Sequence, residues 1–447
     1  MDDKKQENNI QRNPAPVKTG KNKKRWLYSL VGGAIALTSF FAGFGAHWFT
    51  LDKEMRTLIN VKKKIDREYY EEISDDKFYG AVFDAVNNQV LDRYSRYIPS
   101  ERYSEEKASN AGKRNGLGLV FHGTAAPQEA QTIVCRVCGN SPAERAGFRV
   151  GDRLTGFGMT QDNMTDCSAF DAFSNFIGER GNGEQFFVRV DRAGDSLVLS
   201  VACQPYVESY VFYKSSTSAY TIAGDDEDEV LKVGEPLACL DNDTAYMRLI
   251  QFAGDAADLF EEGLKLLKKE GKKNLVLDLR GNGGGDLAIL QEIASWLCKD
   301  ATGRRPTVVL ADYGEKKEYF RADDNEYDKY FSAESRICVL ADNGTASASE
   351  ALMGAMLDYN TVGYADICLI AENGVAKTYG KGIMQTTYIM DLIEQDALRL
   401  TTAKILWPKS KNCIHDRGIL SQDGTKTAVK NYNADEELTA AIKALFA

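Results

Sequence analysis

The chain has 447 residues, enough for two or three domains, and its 43% hydrophobic content supports sizeable cores. A formal charge of −10 and a pI near 5.2 argue against a nucleic-acid binder. The charge is uneven: residues 1–25 hold eight Lys/Arg against three Asp/Glu, so this tail carries +5 and everything after it −15.

The tail, rich in Asn, Gln and Pro, has the composition of a disordered segment. From Trp26 to Leu51 no charged residue occurs, and roughly 20 apolar residues suffice to cross a bilayer as a helix. Trp26, Tyr28 and Trp48 sit where interfacial aromatics belong, and the basic cluster Lys23–Arg25 favours a cytoplasmic N-terminus. Residues 26–51 are therefore expected to be a single-pass transmembrane anchor in the lipid bilayer of the cell membrane, with the rest of the chain extracytoplasmic. A cleaved signal peptide ending near Gly43 and Gly45 is the rival reading.

Residues 52–109 place apolar residues at helical spacing and predict two or three helices ending in the polar turn SRYIPSERYSEE. Residues 110–205 turn to short strands and glycines, a compact β-rich module with one or two small helices. Residues 206–235, with GDDEDEV, suggest a connecting strand and a surface loop. Over 206–430 strands such as AYMRLIQF, NLVLDL, PTVVLAD and RICVLAD alternate with amphipathic helices, which predicts an α/β core with parallel pairing. A helix over 431–447 closes the chain.

Nine cysteines are scattered through apolar segments. Cys135 and Cys138 form a lone C-x-x-C inside an expected strand, where the two side chains point to opposite faces. No second such pair or His pair completes a zinc site, so buried thiols are expected and no metal is assigned.

Three segments concentrate unusual residues. Asp278–Gly285 (DLRGNGGG) follows an expected strand and precedes a helix, where bare amides can bind an anion. It matches neither nucleotide-loop pattern, and a tight structural turn is the plainer alternative. Asn343–Glu350 (NGTASASE) puts Ser347 among small residues at a strand-to-helix turn, with the Ala348 amide facing a possible oxyanion. Ser347 and Ser349 are equally good helix caps. In KTYGKGIMQ, Lys381 lies between two glycines ahead of strand-forming residues. A lysine buried there loses proton affinity and can accept a proton from serine, whereas a surface hairpin is the commoner fate of a lysine. Of the three histidines, His47 lies in the apolar span, His122 in the β module and His415 in a polar loop; only His415 could serve a Ser-His-Asp triad.

Taken in order, these segments resemble the C-terminal processing peptidases, serine peptidases with a Ser-Lys pair and a PDZ domain. GLGLVF and GNSPAERAGFRVGDRL are similar to PDZ motifs; AYMRLIQF, LVLDLRGNGGG, TASASE, YGKGIMQ and ALRLTTAKILWPKSKNCIHDRGI are similar to the peptidase core. The resemblance implies a multidomain α/β fold: a peptidase core with crotonase-like βα layers over 206–430, an inserted PDZ domain over 110–205 and the N-terminal transmembrane helix. It implies Ser347 as nucleophile, Lys381 as general base and Gln385 as the residue that hydrogen-bonds and orients Lys381. The oxyanion hole would be Ala348 with Gly285, preferred over Gly284, and Asp358 would be supportive. Gly116, Leu117, Gly118, Leu119, Val120 and Phe121 would bind the free carboxylate of polypeptides with non-polar C-terminal tails. No cofactor is implied, and a homodimer is a common assembly. Two departures stand out. Ser347 and Lys381 are more widely spaced than in the family pattern, with apparent extra residues in TVGYADICLIAENGV, and Asn-Pro-Gly-Gly is replaced by Asn282-Gly283-Gly284-Gly285. The rival readings are an inactive, membrane-tethered PDZ adaptor that binds peptides without cutting them, and an esterase using the same serine.

Overall fold

In a computed structural model the described residues are 51–122, 131–167, 169–223, 230–232, 234–390, 393 and 395–447. The expected basic tail and, apart from Leu51, the expected anchor lie outside them. Among the described residues no helix is long and apolar enough to cross a membrane.

Helices α1 (Lys53–Glu68) and α2 (Asp75–Ala85) belong to a unit that ends at Ala85. Asp52 caps α1 by accepting the Met55 amide at 2.8 Å. Lys62, buried on α1, is held by Asp66 at 2.5 Å and Asp75 at 2.7 Å. The expected helical region 52–109 is thus divided, because its last part joins the second unit, Val86–Ala447. There SRYIPSERYSEE is not a polar turn. It forms β1 (Arg96–Ile98) and α3 (Ser100–Asn110), and β1 pairs with a strand close to the other end of the sequence, Arg96 opposite Arg399.

The β-rich module follows: β2 (Lys113–Gly116), β3 (Leu119–Phe121), β4 (Val134–Val137), the short α4 (Pro142–Arg145), β5 (Arg153–Thr160), β6 (Asn163–Asp166), α5 (Phe170–Gly178), β7 (Gln185–Arg192), β8 (Asp195–Ala202) and β9 (Gln204–Val207). Strands β6-β5-β7-β8 form one antiparallel sheet, and β3 pairs with β4. Alternate residues of β7 (Phe186, Val188, Val190) point inward against Phe157 and Phe173, giving the module a core of its own.

The remaining elements are β10 (Val211–Lys214), β11 (Ala219–Ile222), β12 (Val230–Lys232), β13 (Thr244–Leu249), α6 (Ala256–Lys269), β14 (Asn274–Asp278), α7 (Leu287–Leu297), β15 (Thr307–Asp312), β16 (Lys317–Arg321), α8 (Tyr327–Tyr330), β17 (Ile337–Ala341), α9 (Ala348–Asp358), β18 (Ile367–Glu372), β19 (Val375–Ala376), β20 (Ile383–Ile389), β21 (Ala397–Leu406), β22 (Lys426–Val429) and α10 (Ala434–Phe446). Strands β13, β14, β17, β18 and β22 run parallel in that order, and β10–β12 extend the sheet antiparallel. Within 206–235, Val211–Lys214, Ala219–Ile222 and Val230–Lys232 are strands of this sheet, so more of the stretch is strand than expected, while most of GDDEDEV, where the surface loop is expected, lies outside the described residues. The apolar runs of β14 and β17 are continuous because both faces are covered. Leu275, Leu277, Val339 and Ala341 pack toward α6, α7 and α9, while Val276, Cys338 and Leu340 pack against α10.

Two expectations change. PTVVLAD, as β15, does not join the parallel sheet; it lies in an antiparallel sheet ordered β1-β21-β15-β16, with β20 on β21. The stretch TVGYADICLIAENGV is not an inserted loop, because Ile367–Ile370 form the buried strand β18 between β17 and β22.

A buried ionic cluster fastens the last helix to the glycine loop. Arg280 donates to both Asp278 oxygens, at 2.9 and 2.6 Å, and to Glu437 of α10 at 2.8 Å. Burial alone would raise the Asp278 pKa, but the charge and hydrogen bonds of Arg280 pull it down to about 2.

Candidate active site

The carboxyl ends of β13, β14 and β17 converge, the usual place for a ligand in a parallel sheet. After β14 the chain turns through Gly281–Gly285, and after β17 it turns through Asn343–Ser347 into α9. Asn282, fully buried, joins the two turns. Its side chain donates to Leu249 O at 2.8 Å and accepts the Gly284 amide at 2.9 Å. Its carbonyl accepts the Ala346 amide at 2.9 Å and Ser349 Oγ at 3.0 Å.

Held this way, Ser347 adopts φ 59° and ψ −115°, a conformation that non-glycine residues rarely take. Such a backbone costs about 1–3 kcal/mol and persists only where its surroundings over-determine it. By position Ser347 is the N-cap of α9, and its own amide donates to Glu350 Oε2 at 3.0 Å. Gly284 backs directly onto it, since a Cβ there would lie 2.7 Å from Ser347 Cβ and 2.8 Å from the Ala348 nitrogen. The Gly284 amide is spent on Asn282, whereas the amides of Gly285 and Ala348 donate to no described residue. Those two are the pair free to receive an oxyanion.

Lys381, half-buried just before β20, lines the same cavity of about 1290 Å³ as Ser347 and Gly285. Burial lowers its pKa from the ordinary 10.5, the charge of Arg399 lowers it further, and Glu350 partly opposes both. No hydrogen bond joins Lys381 Nζ to Ser347 Oγ. The ammonium nitrogen lies instead over the ring of Tyr94, 5.7 Å from its centroid. Gln385 also lines the cavity, but it does not bond to Lys381: its Nε2 is buried and unpartnered.

Glu350 joins the site from outside the set of residues that the sequence pattern marks. Its buried carboxylate accepts four hydrogen bonds: Thr378 Oγ1 at 2.6 Å, Gly380 N at 2.7 Å, and the amides of Lys381 and Ser347 at 3.0 Å each. Burial raises its pKa and these donors counter the rise. The Ser-x-x-Glu spacing is the available signal, although it marks only a capping box. Tyr94 has no signal at all.

The other expected residues are placed differently. Asp358 ends α9, about 16 Å along the axis from Ser347 at 1.5 Å per residue. Its carboxylate accepts the amides of Lys409 and Ser410 at 2.7 and 2.9 Å, so it supports the turn after β21 and not the site itself. Of Gly116–Phe121, Val120 reaches the cavity and Leu117 is buried in the module core, while Phe121 packs 5.0 Å from Phe170. His415 is not among the residues that line the Ser347 cavity, and its Nδ1 is bonded to the Lys381 carbonyl at 3.0 Å. All nine cysteines are free thiols, and Cys413 is exposed.

Residues 243–422 match the model of peptidase family S41. A probable CtpA-like serine protease of Staphylococcus aureus (strain bovine RF122 / ET3-1) is 25% identical over 407 residues, covering 89% of this chain and 72% of the relative. One from Staphylococcus saprophyticus is 25% identical over 392 residues, covering 86% and 69%. An S41 protease structure from Bacteroides fragilis superposes with a TM-score of 0.52 at 14% identity, over 85% of this chain and 90% of that one, which speaks for the fold. Mixed α/β fold and sequence together define a serine peptidase. Residues 243–422 thus carry the peptidase family S41 pattern, and the chain as a whole is similar to CtpA-like C-terminal processing serine proteases.

Proposed function

We propose that this chain cleaves exported polypeptides near their C-termini through an acyl-enzyme on Ser347, with Lys381 as general base. The observation that carries the proposal is the shared cavity: a strained serine, two free amides at Gly285 and Ala348, and a lysine of lowered proton affinity all line it or border it. Neutral Lys381 takes the proton from Ser347 Oγ as oxygen attacks the scissile carbonyl, and the two amides hold the oxyanion. Collapse breaks the C–N bond, and the Lys381 ammonium returns the proton to the leaving amine. Water, deprotonated by Lys381, then hydrolyses the ester and restores Ser347. This requires the Lys381 side chain to swing off Tyr94 toward Ser347, and Gln385, unpartnered beside it, is the group that would receive it.

The β-rich module is read as a PDZ domain. Among the described strands β3 pairs only with β4, so its other edge is free to add a substrate strand, and Val120 on β3 lines the Ser347 cavity. Gly116–Phe121 would take the free carboxylate of a non-polar tail, and its engagement would gate cleavage. Residues 26–51 would anchor the enzyme with the peptidase outside the cytoplasm, as a homodimer.

The test is mass spectrometry of the full chain incubated with a peptide bearing a non-polar C-terminal tail. Cleavage is expected from the wild type and none from Ser347→Ala. If both are inert yet bind the peptide, the chain is an adaptor; the adaptor reading draws support from the Ser347 and Lys381 side chains being unbonded to each other. Hydrolysis of small esters without peptides would make it an esterase.

A further inference from the structure

Among the described residues, five buried side-chain polar atoms lack a hydrogen-bond partner, and three of them lie on residues of the Ser347 cavity: Gln385 Nε2, His122 Nε2 and Arg248 Nε. Gln385 belongs to the catalytic set already proposed. The other two stand apart from the chemistry. Native proteins leave few such groups unsatisfied, and each calls for a reason.

Arg248, at the end of β13, pairs in register with Asp278, but that carboxylate is occupied on both oxygens by Arg280. More positive charge gathers around it. Arg136, Cys135, His122 and Lys430 line the same cavity, the charges of Arg136, Arg248 and Lys430 act on the Cys135 thiol, and the His122 ring lies edge-on 4.9 Å from Tyr432, two residues beyond Lys430. The carboxylates nearby are shared. Glu208 serves both Arg136 at 3.0 Å and Arg114 at 2.8 Å, and Glu437 serves both Lys430 at 3.5 Å and Arg280 at 2.8 Å. Arg114, Arg136, Arg280 and Lys430 thus each have an ion pair, whereas Arg248 has none among the described residues.

We infer that this part of the cavity is a carboxylate subsite for the polypeptide substrate, with Arg248 as its principal contact and Lys430 and His122 beside it. The inference rests on the peptidase reading and adds a specificity to it. A guanidinium with free donors suits a carboxylate, which it can hold through two parallel hydrogen bonds. The spacing is set by the fold. Phe252 bridges to Gly285 of the oxyanion loop, and Arg248 lies four residues earlier in the same run, on the order of 13 Å away at about 3.3 Å per extended residue. A substrate carboxylate about four residues from the scissile bond would reach it. Val120 pairs opposite Arg136, so a chain added to the free edge of β3 enters the cavity past this cluster. With the free C-terminus assigned to Gly116–Phe121, the carboxylate is an Asp or Glu side chain of the substrate, and the acid and amide peptides test whether the C-terminus takes its place.

The experiment measures binding, by fluorescence anisotropy, of the full chain carrying Ser347→Ala to four peptides of one sequence. They combine a C-terminal acid or amide with Glu or Gln about four residues from the cleavage position. One carboxylate source is expected to tighten binding about tenfold. Adding Arg248→Gln should bring that ratio to within about twofold, and Lys430→Gln should reduce it in part. A ratio near one in the parent protein, or a tenfold ratio that survives Arg248→Gln, overturns the subsite. Thermal melting monitors folding. Should Arg248→Gln fail to fold, Lys430→Gln combined with His122→Gln must lower the ratio, and an unchanged ratio overturns the proposal. Binding does not require Ser347. Cleavage by the wild type without carboxylate preference therefore sinks the subsite alone, and preference without cleavage sinks the peptidase reading alone.

Discussion

The backbone amides of Ser347 and Lys381, on turns well separated in sequence, both donate to one oxygen, Glu350 Oε2, at 3.0 Å. The other oxygen takes Thr378 Oγ1 and the Gly380 amide. A single buried carboxylate therefore sets the distance between the turn that carries the serine and the turn that carries the lysine.

Glu350→Gln keeps the shape but turns half of this acceptor into a donor facing donors. Two buried N–H or O–H groups lose partners, at about 1–3 kcal/mol each in stability. We expect kcat to fall about tenfold to a hundredfold with little change in KM, since the loss is of alignment and not of substrate contact. Steady-state kinetics beside thermal melting checks this. Unchanged kcat in a destabilised variant would show that Glu350 serves only the fold.

The pH profile should follow Lys381. Its proton affinity in the folded chain is below the ordinary value because burial, then the charge of Arg399, disfavour the ammonium form. Activity needs the neutral amine, so kcat/KM should rise with pH through the Lys381 titration. Arg399→Gln removes a nearby positive charge, so the ammonium is retained longer and the acidic limb moves to higher pH. The rate on that limb should drop about twofold to fivefold, a modest effect because solvent screens a partly exposed guanidinium. The linkage sign agrees: a lysine whose folded pKa lies below 10.5 contributes a cost that is full at low pH. Stability from this group therefore rises as pH climbs from the folded value toward the unfolded one. A limb that stays put in Arg399→Gln would exclude Lys381 as the titrating base.

Neighbouring glycines should respond oppositely to alanine. Gly284 has φ 97°, and a Cβ there would overlap Ser347 Cβ at 2.7 Å and the Ala346 carbonyl at 2.9 Å. Gly284→Ala should cost about 1–3 kcal/mol of stability from backbone strain alone. It should also lower kcat/KM by more than about a hundredfold, because the serine turn must move. Gly283 has no atom within 4 Å of the same position, and Gly283→Ala should stay within about threefold of the parent. Equal effects at the two positions would show that loop flexibility, not the close approach to Ser347, governs activity.

Much is legible in the sequence because it is written in local pattern. Continuous apolar runs at Leu275–Leu277 and Ile337–Ala341 announce strands covered on both faces, and the structure divides their alternate residues between two cores. Ser347 and Lys381 stand out because small residues and glycines are conspicuous beside apolar strands, but their roles and that of Gly285 come only from the resemblance to the peptidase motifs taken in order. Sheet membership is not local. β15 reads like the parallel strands, yet pairs with β16 and β21, and TVGYADICLIAENGV hides a core strand within what reads as surplus length.

By itself the sequence determined most of the strands and helices of the α/β core, the serine turn, the glycine loop and the candidate lysine, since each follows from residues within a few positions of one another. Only the tertiary structure decided how Ser347 and Lys381 are held: on one oxygen of Glu350, with the lysine over Tyr94 and Gln385 still unbonded. It alone brought Arg248, His122 and Lys430 to the same cavity. These contacts join segments remote from one another along the chain, and no local periodicity encodes them. They exist because hydrogen bonds and ion pairs depend on which strands lie side by side, and burial of the two cores sets that order.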